Sequence, residues 1–194
     1  MSKRIGVLAI QGDFAEHIAA MNEVEGAEAL PVKKAEEIAT LDGLIIPGGE
    51  STTIGKLCER FGVDQAIIAA HARGMALWGT CAGLIYMAKD IADYPEQQRL
   101  GLLNCRVKRN AFGRQVDSFE TDLPVEGLEG GHTRAVFIRA PYVESAGEGV
   151  EVLSVFNDRI VAVRQGKLLG TAFHPELTDD RRVERFFLQI VSEG

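Results

Sequence analysis

The sequence predicts an α/β fold with a mostly parallel central sheet and a mixed or antiparallel extension. Three observations lead there. Short apolar runs alternate with helix-period segments through the first half of the chain. The run LDGLIIPGG has a fully apolar centre, which suits a strand covered on both faces of a sheet. From Gly101 onward strand-like runs follow one another, separated by turns and without long helices.

Arg4 to Ile10 (RIGVLAI) forms the first apolar run, and Gln11-Gly12-Asp13 ends it. FAEHIAAMNEV then repeats apolar residues at helical spacing, giving strand, turn, helix. AEALPVK is predicted as the second strand, AEEIATL as a short helix and LDGLIIPGG as the third strand. Ser51 to Arg60 and Val63 to Arg73 read as helices, Met75 to Trp78 as a strand, and Ala82 to Lys89 as the next helix. LLNCRVKR, AVFIRA, VEVLSVF, RIVAVRQ and LLGTAF are strand-like. The tail from Asp179 to Val191 places Val183, Phe186, Phe187 and Ile190 on one face of a helix docked on the core.

The 194 residues suit one domain, 1–194, with no repeat, low-complexity tract or linker. Hydrophobic residues make up 46% and charged residues 25%, the composition of an ordinary globular protein. The net charge of −7 and basic runs no longer than two residues argue against a nucleic-acid partner. No apolar stretch approaches the roughly 18 to 20 residues needed to cross a bilayer, and no signal cleavage site follows the first strand, so a cytoplasmic location is expected. Cys58, Cys81 and Cys105 are an odd number without paired spacing, which disfavours a disulfide framework. No His or Cys cluster accompanies them, so no metal site is expected.

Cys81 differs from the other two, because it lies in Gly79-Thr80-Cys81-Ala82-Gly83, between a buried strand and a helix. A residue at the tip of such an elbow is forced into strained backbone angles, and flanking glycines remove side chains that would collide there. The helix starting at Ala82 aims free N–H groups and its positive end at the sulfur, where they can hold negative charge on a thiolate or an oxyanion. The alternative for a lone cysteine is a small buried hydrophobe.

A nucleophilic cysteine needs a base, and the candidates are His17, His71, His132 and His174. His17 and His71 fall within predicted helices and His132 in the turn EGGHTR, so structural or solvated roles are expected for them. His174 ends the strand-like run LLGTAF and precedes Pro175-Glu176. Proline biases its predecessor toward extended angles, so His174 and Glu176, two apart, can project to one side. A carboxylate on one imidazole nitrogen and a thiol on the other give a Cys81, His174, Glu176 relay. Both pieces sit at strand carboxyl ends, where open α/β sheets place their ligands. PGGEST (47–52) leaves backbone N–H groups open to a ligand, and equally fits a turn before a helix with Ser51 as its cap.

In this order, PGG, GTCAG and HPE make the chain resemble the class I glutamine amidotransferases, whose fold is a flavodoxin-like three-layer sandwich. GVLAIQGDFAEH, PGGESTTIGKL, GLLNCRVKRNAFGRQVDSFE, FIRAP and FHPELTDD are similar, more narrowly, to the glutaminase subunits of pyridoxal 5'-phosphate synthases. The resemblance spans nearly the whole chain. It implies that Cys81 attacks the side-chain amide of L-glutamine, that His174 protonates the departing ammonia, and that Glu176 orients His174. It further implies oxyanion donors at the backbone N–H groups of Gly49 and Ala82, and glutamine contacts at Gly49, Glu50, Ser51, Arg109, Ile138 and Arg139. For Arg109 and Arg139 the alternative is a surface ion pair. The resemblance implies no cofactor and no metal. Trp78, just before the elbow, is bulkier than expected, and Cys58 and Cys105 are assigned to packing or partial exposure.

One glutaminase domain uses every segment, so a second protein must consume the ammonia. By the resemblance that partner is a (β/α)8-barrel synthase subunit. The segment from Gln11 to His17, near the sheet's carboxyl edge, is a candidate contact with it, and equally fits an ordinary strand-helix turn. Weak activity is expected of the isolated chain. Two other readings are open on the residues alone: a different cysteine hydrolase on the same sheet, and a scaffold protein without turnover.

Overall fold

The computed structural model describes residues 1–110, 112 and 118–194. Strands β1 (Lys3–Leu8), β2 (Ala27–Val32), β3 (Gly43–Ile46), β4 (Ala76–Thr80) and β12 (Leu168–Thr171) lie in the order β2-β1-β3-β4-β12, and every neighbouring pair is parallel. This is the flavodoxin-like strand order. Its central strands β3 and β4 carry no exposed side chain: all of GLII and all of ALWGT are buried, as a sheet covered on both faces requires.

Beyond β12 the pairing turns mixed. The sheet continues through β11 (Arg159–Gln165), β9 (Tyr142–Ala146), β6 (Leu103–Lys108) and β5 (Ala88–Ile91), with β10 (Glu151–Phe156) pairing off the path to β11. All these contacts are antiparallel except β5 with β6. A separate antiparallel hairpin joins β7 (Ser118–Leu123) to β8 (Thr133–Ile138).

The helices are α1 (Phe14–Asn22), α2 (Ser51–Arg60), α3 (Val63–Ala72), α4 (Ala82–Met87) and α5 (Arg182–Ser192). In α5 the expected face, Val183, Phe186, Phe187 and Ile190, is buried, with Phe187 tilted against Trp78 at 5.5 Å. Residues 35–40 form a 3-10 helix rather than an α-helix.

Three differences from the sequence reading have physical causes. The helix after the elbow stops at Met87, because residues 88–91 leave it to pair with β6. LLGTAF belongs to the parallel core and not to the extension: β12 inserts beside β4, with Gly170 opposite Gly79. Strands β5, β7 and β9 were not anticipated, since AKDI and SFETDL expose half of their residues and YVESA two of its five, and all lack a sustained apolar run. Among the described residues, no helix is long and apolar enough to cross a membrane.

Candidate active site

Cys81 directly follows β4 and stands at φ 51°, ψ −105°, a conformation that L-residues rarely adopt. The flanking glycines are what make this turn possible. A Cβ on Gly79 would lie 2.5 Å from the backbone of Gly83, and a Cβ on Gly83 would lie 1.9 Å from the carbonyl oxygen of Ile46 in β3. The elbow is thus pressed against the neighbouring strand, with no room for any side chain but that of Cys81 and its immediate neighbours. The Cys81 N–H donates to the Thr171 carbonyl at 2.8 Å, tying the elbow to β12, and its Sγ lies 3.8 Å from the Ile138 carbonyl oxygen at the end of β8.

His174 comes from the chain just after β12 and is held by its own N–H, which donates to the Val136 carbonyl at 2.9 Å. Its Nδ1 bonds Glu176 Oε1 at 2.6 Å, and it lines the same pocket as Cys81. The His174–Glu176 relation arises from a turn and not from an extended strand. Pro175 opens a 3-10 helix (Pro175–Leu177) with His174 at its N-cap, and that turn brings the carboxylate back onto the imidazole. Burial disfavours the imidazolium, but the interactions with Cys81 and Glu176 outweigh it and push His174 up to about 10. For Glu176 burial likewise opposes the charge, and the imidazoles of His17 and His174 overcome it and hold the carboxyl below the usual range.

His17 is the residue the sequence undervalued. It is fully buried on α1, with Nε2 at 2.9 Å from Thr80 Oγ1 and 3.5 Å from Glu176 Oε1, and its ring meets Trp78 edge-on at 5.4 Å. Desolvation lowers its pKa, against the pull of the Glu176 charge, and its ring stands as a buttress behind Glu176. The available signal was its place on the apolar, inward face of FAEHIAAM, two helical turns at most from the Gln11-Gly12 turn. His71 has a purely local bond, Nδ1 to the Met75 carbonyl at 2.9 Å, and His132 is exposed, as expected.

Cys81 and His174 open into a pocket of about 400 Å³. Gly49, Glu50, Ser51, Ala82, Arg109, Ile138 and Arg139 all line it, so the structure brings together every residue singled out for ligand contact. Gln11, Gly12 and Asp13 line it too, from the turn after β1. Gly49 has φ 154°, and a Cβ there would lie 2.4 Å from Gln11 Oε1, which accepts the Glu50 N–H at 2.9 Å. Glu50, rather than Ser51, caps α2: its carboxylate accepts from the N–H and hydroxyl groups of both Thr52 and Thr53. Partial burial opposes that charge, but these bonds prevail and hold the carboxyl down at about 2. Arg109 does form an ion pair, 3.5 Å from Asp93, while also facing the pocket. The motif RNAFGRQVDSFE lies in part outside the described residues.

The other two cysteines are buried, so packing and not partial exposure is their place: burial pushes the Cys58 thiol up to about 11, opposed in part by Tyr86, and the Cys105 thiol up to about 12. Trp78 is accommodated because its Nε1 donates to Thr171 Oγ1 at 3.1 Å within the core.

A nucleophile elbow, an imidazole and a carboxylate at adjacent strand ends over a flavodoxin-like sheet match a known group of proteins. The model of the SNO glutamine amidotransferase family fits residues 7–193. This chain belongs to that family. It is 55% identical to pyridoxal 5'-phosphate synthase subunit PdxT of Acidothermus cellulolyticus, over 97% of this chain and 94% of that one. With the same-named subunit of a Parafrankia species it shares 58% identity, over 97% and 93% of the two chains. A solved structure described as a glutamine amidotransferase superposes with a TM-score of 0.92 at 54% identity, covering 97% of this chain and 99% of the other.

Proposed function

We propose that Cys81, His174 and Glu176 are the triad with which this glutaminase subunit of pyridoxal 5'-phosphate synthase turns L-glutamine into L-glutamate and ammonia. The observation that carries the assignment is the convergence, in one pocket large enough for an amino acid, of the elbow cysteine Cys81 and of His174, whose Nδ1 is bonded to Glu176.

Cys81 Sγ attacks the side-chain amide carbon, and the backbone N–H groups of Gly49 and Ala82 hold the resulting oxyanion. His174, whose raised pKa keeps it protonated at neutral pH, gives a proton to the amide nitrogen as the C–N bond breaks and ammonia leaves. The thioester is then opened by water, His174 taking a proton from the water and the sulfur leaving as glutamate forms. Glu176 fixes the imidazole through Nδ1, and His17 supports Glu176 from behind. Gly49, Glu50, Ser51, Arg109, Ile138 and Arg139 contact the substrate. Because four donors already occupy the Glu50 carboxylate, its role in holding the substrate ammonium is a secondary one, through charge.

The chain acts as one glutaminase domain, in the cytoplasm and without cofactor. Ammonia released into neutral water is protonated and ceases to be a nucleophile, so release is useful only when coupled to an acceptor enzyme. The partner is a (β/α)8-barrel synthase subunit that receives the ammonia and binds in part near Gln11 to His17. Glutamine-dependent formation of pyridoxal 5'-phosphate, measured with and without the synthase subunit, tests this. Cys81→Ala should lose the activity by about a thousandfold or more, while ammonium salts still support synthesis. Glutamate release by Cys81→Ala at the wild-type rate would remove the triad.

A further inference from the structure

Gln97 lies in the connection between β5 and β6, is 3% exposed, and does not itself line the pocket. Its side chain nevertheless joins two residues that do. Oε1 accepts from Arg109 Nη1 at 2.9 Å, and Nε2 donates to Ser51 Oγ at 2.9 Å. The direction of both bonds is fixed by chemistry. A guanidinium has only donors, so the amide oxygen must face Arg109 and the NH2 must face Ser51. The Ser51 hydroxyl therefore spends a lone pair on Gln97, and its single proton is left for something else. Arg109, a residue with five N–H donors, spends one on Gln97 and is steadied from the side by the Tyr94 ring at 4.9 Å and by Asp93.

Gln97 is itself immobilised. Its N–H donates to the Tyr94 carbonyl at 3.1 Å, and its carbonyl accepts from Arg99 Nη1 at 3.0 Å. A rigid amide thus sets the rotamers of one cationic donor just after β6 and one hydroxyl donor at the start of α2, both lining one pocket. Two convergent donors, one of them charged, are what a carboxylate requires. We propose that Gln97 is a positioning residue that turns Arg109 and Ser51 toward the α-carboxylate of the substrate, an inference that rests on the reading of this pocket as an L-glutamine site.

Gln97→Met keeps the volume and removes both bonds. Gln97→Glu keeps the volume but accepts from both neighbours, which draws the Ser51 proton away from the substrate and neutralises Arg109. In the complex with the synthase subunit, both variants should raise KM for L-glutamine about tenfold, as for a misaligned charge-assisted hydrogen bond, with kcat within about twofold. Alkylation of Cys81 by the diazoketone analogue of L-glutamine should slow about tenfold, while alkylation by iodoacetamide, which has no carboxylate, should keep the wild-type rate. Equal slowing by both reagents, or a fall in kcat at constant KM, would make Gln97 a structural residue only and overturn the inference. A wild-type chain that the diazoketone fails to label would instead overturn the glutamine reading, and the inference with it. Should Gln97→Met not fold, Gln97→Glu, whose polar partners are both satisfied, carries the same test.

Discussion

Glu184 sits in the first turn of α5 with none of its surface exposed, and its two carboxylate oxygens make no hydrogen bond. The nearest cation, Arg181 Nη1, stands 3.9 Å from Oε1. Burial raises the carboxyl from 4.5 to about 7, helped by the negative charges of Glu176 and Asp180 and opposed in part by its own N–H and by Arg181. The folded state therefore binds this proton more tightly than the unfolded chain. Its contribution to stability is complete below pH 4.5 and declines as pH rises to about 7, beyond which the loss is constant. At 1.36 kcal/mol for each pH unit, that loss amounts to about 3 kcal/mol. Glu184→Gln cannot ionise and should lack this slope. Relative to any difference between the two proteins at pH 4.5, the variant should gain about 3 kcal/mol at pH 8, or roughly 6 to 12 °C in Tm for a chain of this size. Urea unfolding of wild type and variant, followed by circular dichroism at both pH values, measures the change. Parallel stability profiles would refute the reasoning, because they would mean that Glu184 ionises in the folded protein as it does in water.

Gly83→Ala should destabilise the chain by several degrees in Tm and slow Cys81 alkylation, although alanine is the better helix former by about 1 kcal/mol, because its Cβ would fall 1.9 Å from the Ile46 carbonyl oxygen. A thermal melt matching wild type would show that the elbow and β3 can part at little cost. His17→Phe keeps a buried ring but removes the bond to Thr80 and the contact with Glu176. It should lower kcat for glutamine hydrolysis about tenfold with little change in KM, as expected for loss of support to a base-orienting carboxylate. An unchanged kcat would reduce His17 to packing.

Local chemistry was legible in the sequence wherever one residue type has few other uses. Gly79 and Gly83 announce a backbone contact, and the structure supplies the contact at each. His174-Pro175-Glu176 announces a short-range pairing, although the pairing runs through a 3-10 turn that the extended reading of HPE did not foresee. Strands β5 and β9 were not legible, because short segments with several exposed residues bury too little apolar surface to leave a period-2 signature. The support behind the site was legible least of all. His17, Gln97 and Glu184 lie 64, 16 and 103 residues from Cys81 in sequence, and each is polar for a reason that only its neighbours in space reveal. His17 faces Glu176, Gln97 joins Arg109 to Ser51, and Glu184 feels the charge of Glu176.

What turns two legible motifs into one site is the insertion of β12 beside β4. The pair is parallel and in register, Gly170 opposite Gly79 and Thr171 opposite Thr80, so Cys81 and His174 leave the sheet at the same edge from adjacent strands. Their meeting depends on that register. A slip by one residue would turn the side chains of β12 to the opposite face and carry the following His174 away from the thiol. Glycine at both positions of one facing pair gives little side-chain packing to resist such a slip. The resistance comes one rung away, where Trp78 Nε1 bonds Thr171 Oγ1 and the Cys81 N–H bonds the Thr171 carbonyl. The tryptophan that looked too large for its place in the sequence thus helps hold the two halves of the site in line, since a buried indole N–H without Thr171 would be left unpaired.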